Sequence, residues 1–78
     1  MIYYYAYTGH KIGLERAKRG VAVIKALANS GAEAQLLVND FRAGAAMEAY
    51  GIESYVTIET VRDIDAVASR GDVVIIDS

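Results

Sequence analysis

The sequence contains no cysteine, no proline and no tryptophan, and it has a single histidine. The absence of cysteine excludes a disulfide framework, thiolate metal ligands and a cysteine nucleophile. No apolar run approaches the ~20 residues of a membrane span. No basic segment precedes the first apolar run, as it would in a signal peptide. We therefore expect a cytoplasmic protein without a membrane span.

Apolar residues are abundant for so short a chain, since 54% of the 78 residues are hydrophobic. This content argues against disorder. A chain of this size is also near the lower limit at which one core is self-sufficient. We expect a single domain over residues 1–78, which is either a whole unit or the N-terminal fragment of a two-domain protein.

Charge is distributed unevenly, although the net charge is only −2. Five of the eight basic residues but only one of the ten acidic residues lie in residues 1–30. A positive field there favours an anionic small molecule, and a solvated helix face explains the same pattern. The acidic balance of the whole chain and the shortness of the basic stretch argue against nucleic-acid binding.

Strand-like apolar runs alternate with amphipathic stretches that end in glycine. The pattern predicts strands over residues 2–7, 34–38, 55–58 and 72–77, and helices over residues 13–30, 41–50 and 60–70. Gly31, Gly51 and Gly71 each suit the left-handed residue that follows a helix. Asn39 or Asp40 is expected to cap the second helix, and Thr60 with Asp63 approximates a capping box for the third.

The alternation β-α-β-α-β-α-β, with right-handed crossovers, predicts an α/β fold. We expect a three-layer, Rossmann-like parallel sheet of four strands in the order 3-2-1-4. The carboxyl ends of strands 1 and 4 then flank the point at which the strand order reverses, where such folds bind ligands. Gly20, in the middle of the first helix, predicts a close approach of that helix to a strand or to another helix.

The loop from Thr8 to Gly13 is the best candidate for the start of a site, because it joins the first strand to the first helix. Gly9 and Gly13 suit either an anion-binding nest or a plain turn. His10 has the chemistry of a general base, although a lone loop histidine is more often merely exposed. We expect His10 as the catalytic residue and substrate-binding groups at Thr8, Gly9, Gly13, Arg16, Arg19, Asp77 and Ser78.

Each of these candidates has a plainer interpretation. Arg16 and Arg19 also fit solvated helix positions, and Asp77 also fits a simple strand terminus. The tyrosines of the first strand either stack on a sugar or base or belong to the core, and the core is favoured for at least half of them. The scattered acidic residues lack metal-ligand spacing, so neither a metal nor a cofactor is expected.

The segment Ile12-Gly13-Leu14-Glu15-Arg16-Ala17-Lys18-Arg19, followed by an apolar helix and Ser30-Gly31-Ala32-Glu33-Ala34, resembles the start of GT-B nucleotide-sugar enzymes. The similarity is greatest to the UDP-sugar hydrolases of pseudaminic acid biosynthesis and to spore-coat polysaccharide proteins. Those proteins begin with a strand, a loop, Gly-x-Gly-His-x-x-Arg and a helix. They have Asp-Ser or Asp-His at the end of a central strand, as at Asp77-Ser78.

The resemblance covers nearly all of the chain, as an N-terminal domain only. In an ungapped alignment the family's catalytic histidine falls on Arg16 and its arginine on Arg19. In a second register Gly9-His10 takes the place of the family's Gly-His. The resemblance implies a nucleotide-sugar hydrolase or glycosyltransferase whose nucleotide-binding second domain is missing here.

Three functions remain open. The first is the acceptor-side domain of a GT-B-like hydrolase or glycosyltransferase, inert in isolation. The second is a non-catalytic Rossmann-like module that binds an anionic small molecule or sugar. The third is an interaction unit that self-associates. Because uncovered apolar surface is expected, we predict a homodimer, formed through the edge next to strand 4 or by exchange of a terminal element.

Overall fold

The computed structural model describes residues 1–9, 13–52 and 55–77. Its strands and helices follow one another in strict alternation along the chain. They are β1 (Ile2–Ala6), α1 (Glu15–Asn29), β2 (Ala34–Val38), α2 (Phe41–Glu48), β3 (Tyr55–Thr57), a 3₁₀ turn (Val61–Asp63) that runs into α3 (Ile64–Val67), and β4 (Val73–Asp77).

The four strands form one parallel sheet in the order β3-β2-β1-β4, which confirms the predicted fold. In the register of the sheet, Tyr4 of β1 lies beside Leu36 of β2 and beside Ile75 of β4. The two inner strands are therefore β1 and β2, and β4 forms one edge. All the carboxyl ends of the strands point the same way, as expected for βαβ connections.

Helices cover the sheet unequally on its two faces. On one face α1 and α2 pack over β1, β2 and β3, and Tyr4, Leu36 and Met47 belong to the core between them. On the other face a smaller core joins Tyr5 to Ile64 of the short α3. The tyrosine prediction is confirmed for the inner pair, because Tyr4 and Tyr5 are buried whereas Tyr7 is exposed.

The first two helices end as the glycine pattern predicts. Gly31 has a φ of 88°, and the Ala32 N–H donates to the Leu27 carbonyl while the Gly31 N–H donates to the Ala28 carbonyl. These two bonds define a Schellman motif, which satisfies carbonyls at the end of α1. The start of α2 is also as expected, since the Asp40 carboxylate accepts from the Arg42 N–H at 2.8 Å.

The third helix is shorter than the predicted span of 60–70, since regular structure runs only from Val61 to Val67. Its start agrees with the expected cap, because the Asp63 carboxylate accepts from the Thr60 N–H at 3.0 Å. The chain then leaves the helix because the Ser69 N–H donates at 2.7 Å to the Asp72 carboxylate. This local side-chain bond competes with helical hydrogen bonding. Gly71 therefore lies in the turn before β4 and does not end the helix.

Gly20 lies where α1 crosses the sheet, and the predicted close approach is confirmed. A Cβ atom at this position would lie 2.8 Å from Tyr4 Cδ1 and 2.9 Å from Leu36 Cδ1. Glycine lets the helix backbone rest directly on the two inner strands. In the part of the chain that the structure describes, no helix is long and apolar enough to span a membrane.

Candidate functional site

A groove of about 370 Å³ opens at the carboxyl ends of β1 and β2. It lies between the loop that follows β1 and the first turn of α2. The residues that line it are Thr8, Gly9, Gly13, Leu14, Asp40, Arg42 and Ala43. Parallel α/β sheets bind their ligands at this end, outside the carboxyl ends of the strands. The groove is therefore the candidate ligand site.

Thr8 and Asn39 fix the floor of the groove by joining the ends of the two inner strands. The Thr8 N–H donates to Asn39 Oδ1 at 2.8 Å, and the Thr8 hydroxyl donates to the same oxygen at 3.1 Å. Asn39 Nδ2 returns a bond to the Thr8 carbonyl at 2.9 Å. Thr8 is itself buried. The polar atoms of Thr8 are therefore paired with Asn39 and hold the loop in place. A ligand in the groove would contact the residues next to Thr8, such as Gly9.

The glycines of the first loop shape the wall of the groove beside α1. The Gly13 N–H donates to the Gly9 carbonyl at 2.8 Å, which closes the loop, and Gly13 has a φ of 72°. Among the described residues beyond the chain neighbours, no atom lies within 4 Å of a Cβ built at either glycine. The absence of a side chain at these positions leaves room for a ligand above the loop, although the Gly13 N–H and the Gly9 carbonyl are already paired with each other.

The start of α1 lies next to this opening, because Gly13 and Leu14, directly before the helix, line the groove. Leu14 occupies the N-cap position and makes no side-chain capping bond. The N–H groups of a first helical turn have no intrahelical acceptor, and they give the end of the helix a partial positive charge. Arg16 lies within that turn and so does the carboxylate of Glu15, so the two side-chain charges offset one another. The backbone N–H groups are what favour an anionic group at this end of the groove.

The opposite wall carries a carboxylate and a guanidinium together. Asp40 caps α2, and Arg42 donates from Nε at 3.3 Å and from Nη2 at 3.2 Å to the two oxygens of the Asp40 carboxylate. Arg42 is exposed, so its remaining N–H donors face solvent. A ligand in the groove would meet both a cation and a hydrogen-bond acceptor. This combination suits a molecule with a phosphate and hydroxyl groups.

A second polar cluster lies beside the groove, at the carboxyl end of β4. Arg19 donates to Asp77 through Nε at 2.9 Å and Nη2 at 2.8 Å, and the Tyr4 hydroxyl donates to the same carboxylate at 2.6 Å. Arg16 Nε lies 3.8 Å from the Asp77 carboxylate. Two arginines of α1 and one tyrosine of β1 thus converge on one strand-end acid.

These contacts shift the pKa values of Asp77 and Tyr4. The hydrogen bonds from Arg19 hold the pKa of Asp77 below its usual range, with a further contribution from Tyr4. Burial raises the pKa of the Tyr4 hydroxyl, and its bond to Asp77 adds to this effect. Tyr4 is therefore a neutral donor and Asp77 an anion near neutral pH. Such an arrangement fixes β4 against α1.

The predicted site residues fall into two neighbouring groups. Thr8, Gly9 and Gly13 line or support the groove, whereas Arg16, Arg19 and Asp77 form the cluster beside it. The candidates His10 and Ser78 lie outside the described residues. Arg19 already holds Asp77 with two hydrogen bonds, so Arg16 is the arginine of the pair with more capacity for a ligand.

Asp40, Arg42 and Asn39 belong to the site region but were not predicted as site residues. The sequence does hold a signal for them, since all three follow the carboxyl end of β2, next to β1 in the sheet. In a parallel sheet, residues that directly follow adjacent strands meet at one edge. This rule identifies the loop after β2 as part of the site in the same way as the loop after β1.

A second cavity, of about 390 Å³, lies at the other end of the sheet, between the last turns of α1 and the segment after α2. Its main polar group is Lys25, whose Nζ donates to the Tyr50 carbonyl and so closes the end of α2. Its position at the amino end of β2 is not where parallel α/β folds bind ligands. We therefore retain the groove at the carboxyl ends as the candidate site.

The lowered pKa of Asp77 predicts a stability that depends on pH. Ionised Asp77 stabilises the fold above the ordinary carboxylate pKa of about 4. That contribution is lost as the pH falls through the unfolded-state pKa towards the lower folded-state pKa. Urea unfolding at pH 7 should show Asp77→Asn to be less stable than the parent, and the difference should shrink below pH 4.

The matched control for this prediction is Asp65→Asn, on the exposed side of α3. It makes the same change from carboxylate to amide on the opposite face of the sheet from Arg16 and Arg19, and it should follow the parent at every pH. The hydrogen bond from the Ser69 N–H also lowers the pKa of Asp72, but Asp72 is present in both proteins and its contribution cancels in the comparison. If the free energies of unfolding of Asp77→Asn and the parent differed by the same amount from pH 7 to pH 3, ionised Asp77 would not be the source of the difference.

No family model, curated protein or solved structure matches this chain. A functional assignment therefore depends on the groove, the polar cluster beside it and the fold that positions both.

Proposed function

We propose that this chain is a Rossmann-like domain that binds an anionic sugar derivative, such as a nucleotide-sugar or a sugar phosphate, in the groove at the ends of β1 and β2. The groove itself carries the proposal. It combines two glycines without side chains, the start of α1 and the Asp40–Arg42 pair within one concave surface. A phosphate is favoured at the helix start, and hydroxyl groups are favoured at the carboxylate.

The position of Asp40 supports a sugar ligand in particular. In doubly wound α/β folds, an acidic residue near the end of the second strand accepts hydrogen bonds from ribose hydroxyls. Asp40 follows β2 directly and lines the groove across from Gly9 and Gly13. The arrangement fits a ligand whose phosphate lies at α1 and whose sugar lies at α2.

We place this binding within a GT-B-like nucleotide-sugar hydrolase or glycosyltransferase, of which the chain supplies the acceptor-side N-terminal domain. The parallel order β3-β2-β1-β4 and the sequence resemblance support this assignment. Such a domain is inert alone, with His10 or Arg16 in the position of the family's catalytic histidine. Hydrolysis of a UDP-sugar by the isolated 78-residue chain would contradict this assignment.

The alternative is a non-catalytic binding module with the same groove. A reading frame that continues into a domain with a nucleotide-binding glycine loop would favour the enzyme. A stop codon directly after residue 78 would favour the module. Binding in the groove is common to both, so it is tested first.

We expect Arg16→Ala to weaken binding of a UDP-sugar about tenfold, because it removes a cation next to the proposed phosphate position. Arg42→Ala should weaken binding about tenfold as well, because it removes a charged donor beside Asp40, at the proposed sugar position. The measurement is an NMR titration of the labelled chain with UDP-sugars and with inorganic phosphate. Shifts should concentrate at residues 8–9, 13–19 and 40–43. Phosphate alone should perturb the start of α1 more than the start of α2.

Arg70→Ala is the matched control, because Arg70 is exposed in the turn before β4, at the opposite end of the sheet. It removes the same charge and should leave the dissociation constant unchanged. If all three variants weakened binding equally, the loss of positive net charge would explain the weaker binding without a contact in the groove. Shifts confined to other parts of the chain would overturn the groove as the site.

We also propose that the domain forms a homodimer. The supporting observation is the exposure of large apolar side chains on β4, with Val73 and Ile76 each 54% exposed and Ile75 37% exposed. Parallel sheets are normally covered on both faces. Sedimentation of the chain as a monomer up to high micromolar concentration would contradict this proposal.

A further inference from the structure

The outer edge of β4 is apolar and unprotected. Val73, Val74, Ile75 and Ile76 carry no charge, and the segment has neither proline nor glycine. Natural edge strands usually carry lysine, proline or a bulge that blocks pairing with another chain. In the described part of the chain, β4 pairs with β1 on one side and with no strand on the other.

The other edge of the sheet differs in each of these respects. β3 has only three residues, and the Tyr55 hydroxyl ties it to the Phe41 carbonyl of α2. A short edge strand covered by a helix offers little backbone to a partner. If another chain adds to this sheet, β4 is the edge it joins.

The backbone bonds to β1 determine which groups of β4 face outward. The Val73 N–H donates to the Met1 carbonyl at 3.1 Å, and the Asp77 carbonyl accepts from the Tyr7 N–H at 3.1 Å. Residues 73, 75 and 77 therefore point their backbone groups at β1. Because these directions alternate along a strand, the N–H and C=O groups of Val74 and Ile76 point away from the sheet.

We propose that two copies of this chain pair their β4 strands antiparallel about a two-fold axis at Ile75, so that the two sheets become one. This inference rests on the proposed homodimer and names its surface. Val74 of one copy then lies opposite Ile76 of the other. These are the residues with outward backbone groups, so each pair exchanges both hydrogen bonds, as an antiparallel ladder requires.

The side chains in this register are complementary. Ile75 lies opposite its own copy on the α1 face, and the Val74–Ile76 pairs lie on the other face. A closed two-fold contact of this kind uses one surface patch twice. Cross-strand pairs of β-branched residues stabilise such ladders. Val73, Ile75 and Ile76, which are exposed in the monomer, each gain a side-chain neighbour across the contact.

Charge does not oppose the contact. Asp77, the one charged residue of β4, is turned towards α1 and held by Arg19 and Tyr4. In the antiparallel register it lies opposite Val73 of the second copy. The two Asp77 residues are then offset by roughly 14 Å along the strands, beyond the ~8 Å screening length of physiological salt.

The contact is small, which sets the expected strength. Stable protein interfaces start at about 1,200 Å² of buried surface, and a pair of five-residue strands buries less than that. We therefore expect a reversible dimer whose population rises across the micromolar range. A second copy suits this edge because one strand supplies both halves of a matching ladder.

The test combines sedimentation with residue-resolved amide exchange at low and high protein concentration. The parent should shift from monomer to dimer, and the amides of Val74 and Ile76 should become protected only at high concentration. The amides of Val73 and Ile75 should stay protected at both, which also shows that the monomer is folded. Ile76→Lys should raise the dissociation constant at least tenfold.

Phe41→Lys is the matched control, because Phe41 is 66% exposed and belongs to α2, away from β4. It adds the same charge and removes a larger apolar side chain, and it should leave the dimer unchanged. A parent that stays monomeric would overturn both the homodimer and its β4 interface. A dimer that survives Ile76→Lys, with exchange at Val74 and Ile76 independent of concentration, would overturn the β4 interface alone.

Discussion

Leu36→Ala should lower the free energy of unfolding by about 3 kcal/mol, as large-to-small changes at buried positions do. Leu36 is in the inner strand β2, and its side chain is fully buried between the sheet and α1. It contacts the region where Gly20 brings α1 closest to the sheet. Alanine at this position removes the contacts of the deleted methyl groups and leaves a cavity in the core.

The consequence is severe because the domain is small. Stabilities of about 0.05–0.15 kcal/mol per residue give this chain only about 4–12 kcal/mol in total. Leu36→Ala therefore removes a large share of that stability. Urea unfolding at low protein concentration, where the monomer dominates, measures the change directly.

Phe41→Ala provides the control for residue size. It deletes a larger apolar side chain, but from a position that is 66% exposed at the start of α2. The expected loss is within about 0.5 kcal/mol. If Phe41→Ala cost as much as Leu36→Ala, the burial of Leu36 would not be the source of its effect.

The sheet order could be predicted from the sequence because it depends on local signals and a chirality rule. Gly31 and Gly51 each adopt the positive φ that their places after a helix require. Short connections and right-handed crossovers then leave few topologies. Each of these steps uses residues close together in the chain, where propensity and turn chemistry dominate.

The length of the third helix could not be predicted in the same way. The apolar and polar pattern continues towards Gly71, yet the helix ends at Val67. The deciding bond runs from the Ser69 N–H to the Asp72 carboxylate, and Ala68 is extended with a ψ of 142°. Serine and aspartate have weak helix preferences because they make such competing bonds. Periodicity alone does not detect this competition.

In the candidate site, too, features that depend on neighbouring residues could be predicted, whereas contacts between residues distant in the chain could not. The sequence predicts the glycine loop after β1 as a site because the loop lies between a strand and a helix. The bond between Arg19 and Asp77 joins residues 58 positions apart, so no local pattern indicates it. Its effect is to hold Asp77 against α1, which leaves Asp40 and Arg42 as the charged residues that line the groove.

The contact that Gly20 permits sets the position of α1, and with it one wall of the groove. Gly20→Val should therefore lower the free energy of unfolding by about 3 kcal/mol, at the upper end of the cost of overpacking. The new side chain would overlap Tyr4 and Leu36. Tyr4 cannot turn away without losing its hydrogen bond to Asp77.

The control for this last variant is Ala22→Val, which places the same side chain on the exposed face of the same helix. Ala22→Val should lower the free energy of unfolding by about 0.5 kcal/mol, because valine has a lower helix propensity than alanine. Urea unfolding measures both variants, and the tyrosine spectrum reports the environment of Tyr4. Glycine in a helix costs about 1 kcal/mol relative to alanine, so a helix free to move outward would gain stability from valine. A Gly20→Val variant as stable as the parent would show that α1 does not need its present distance from the sheet.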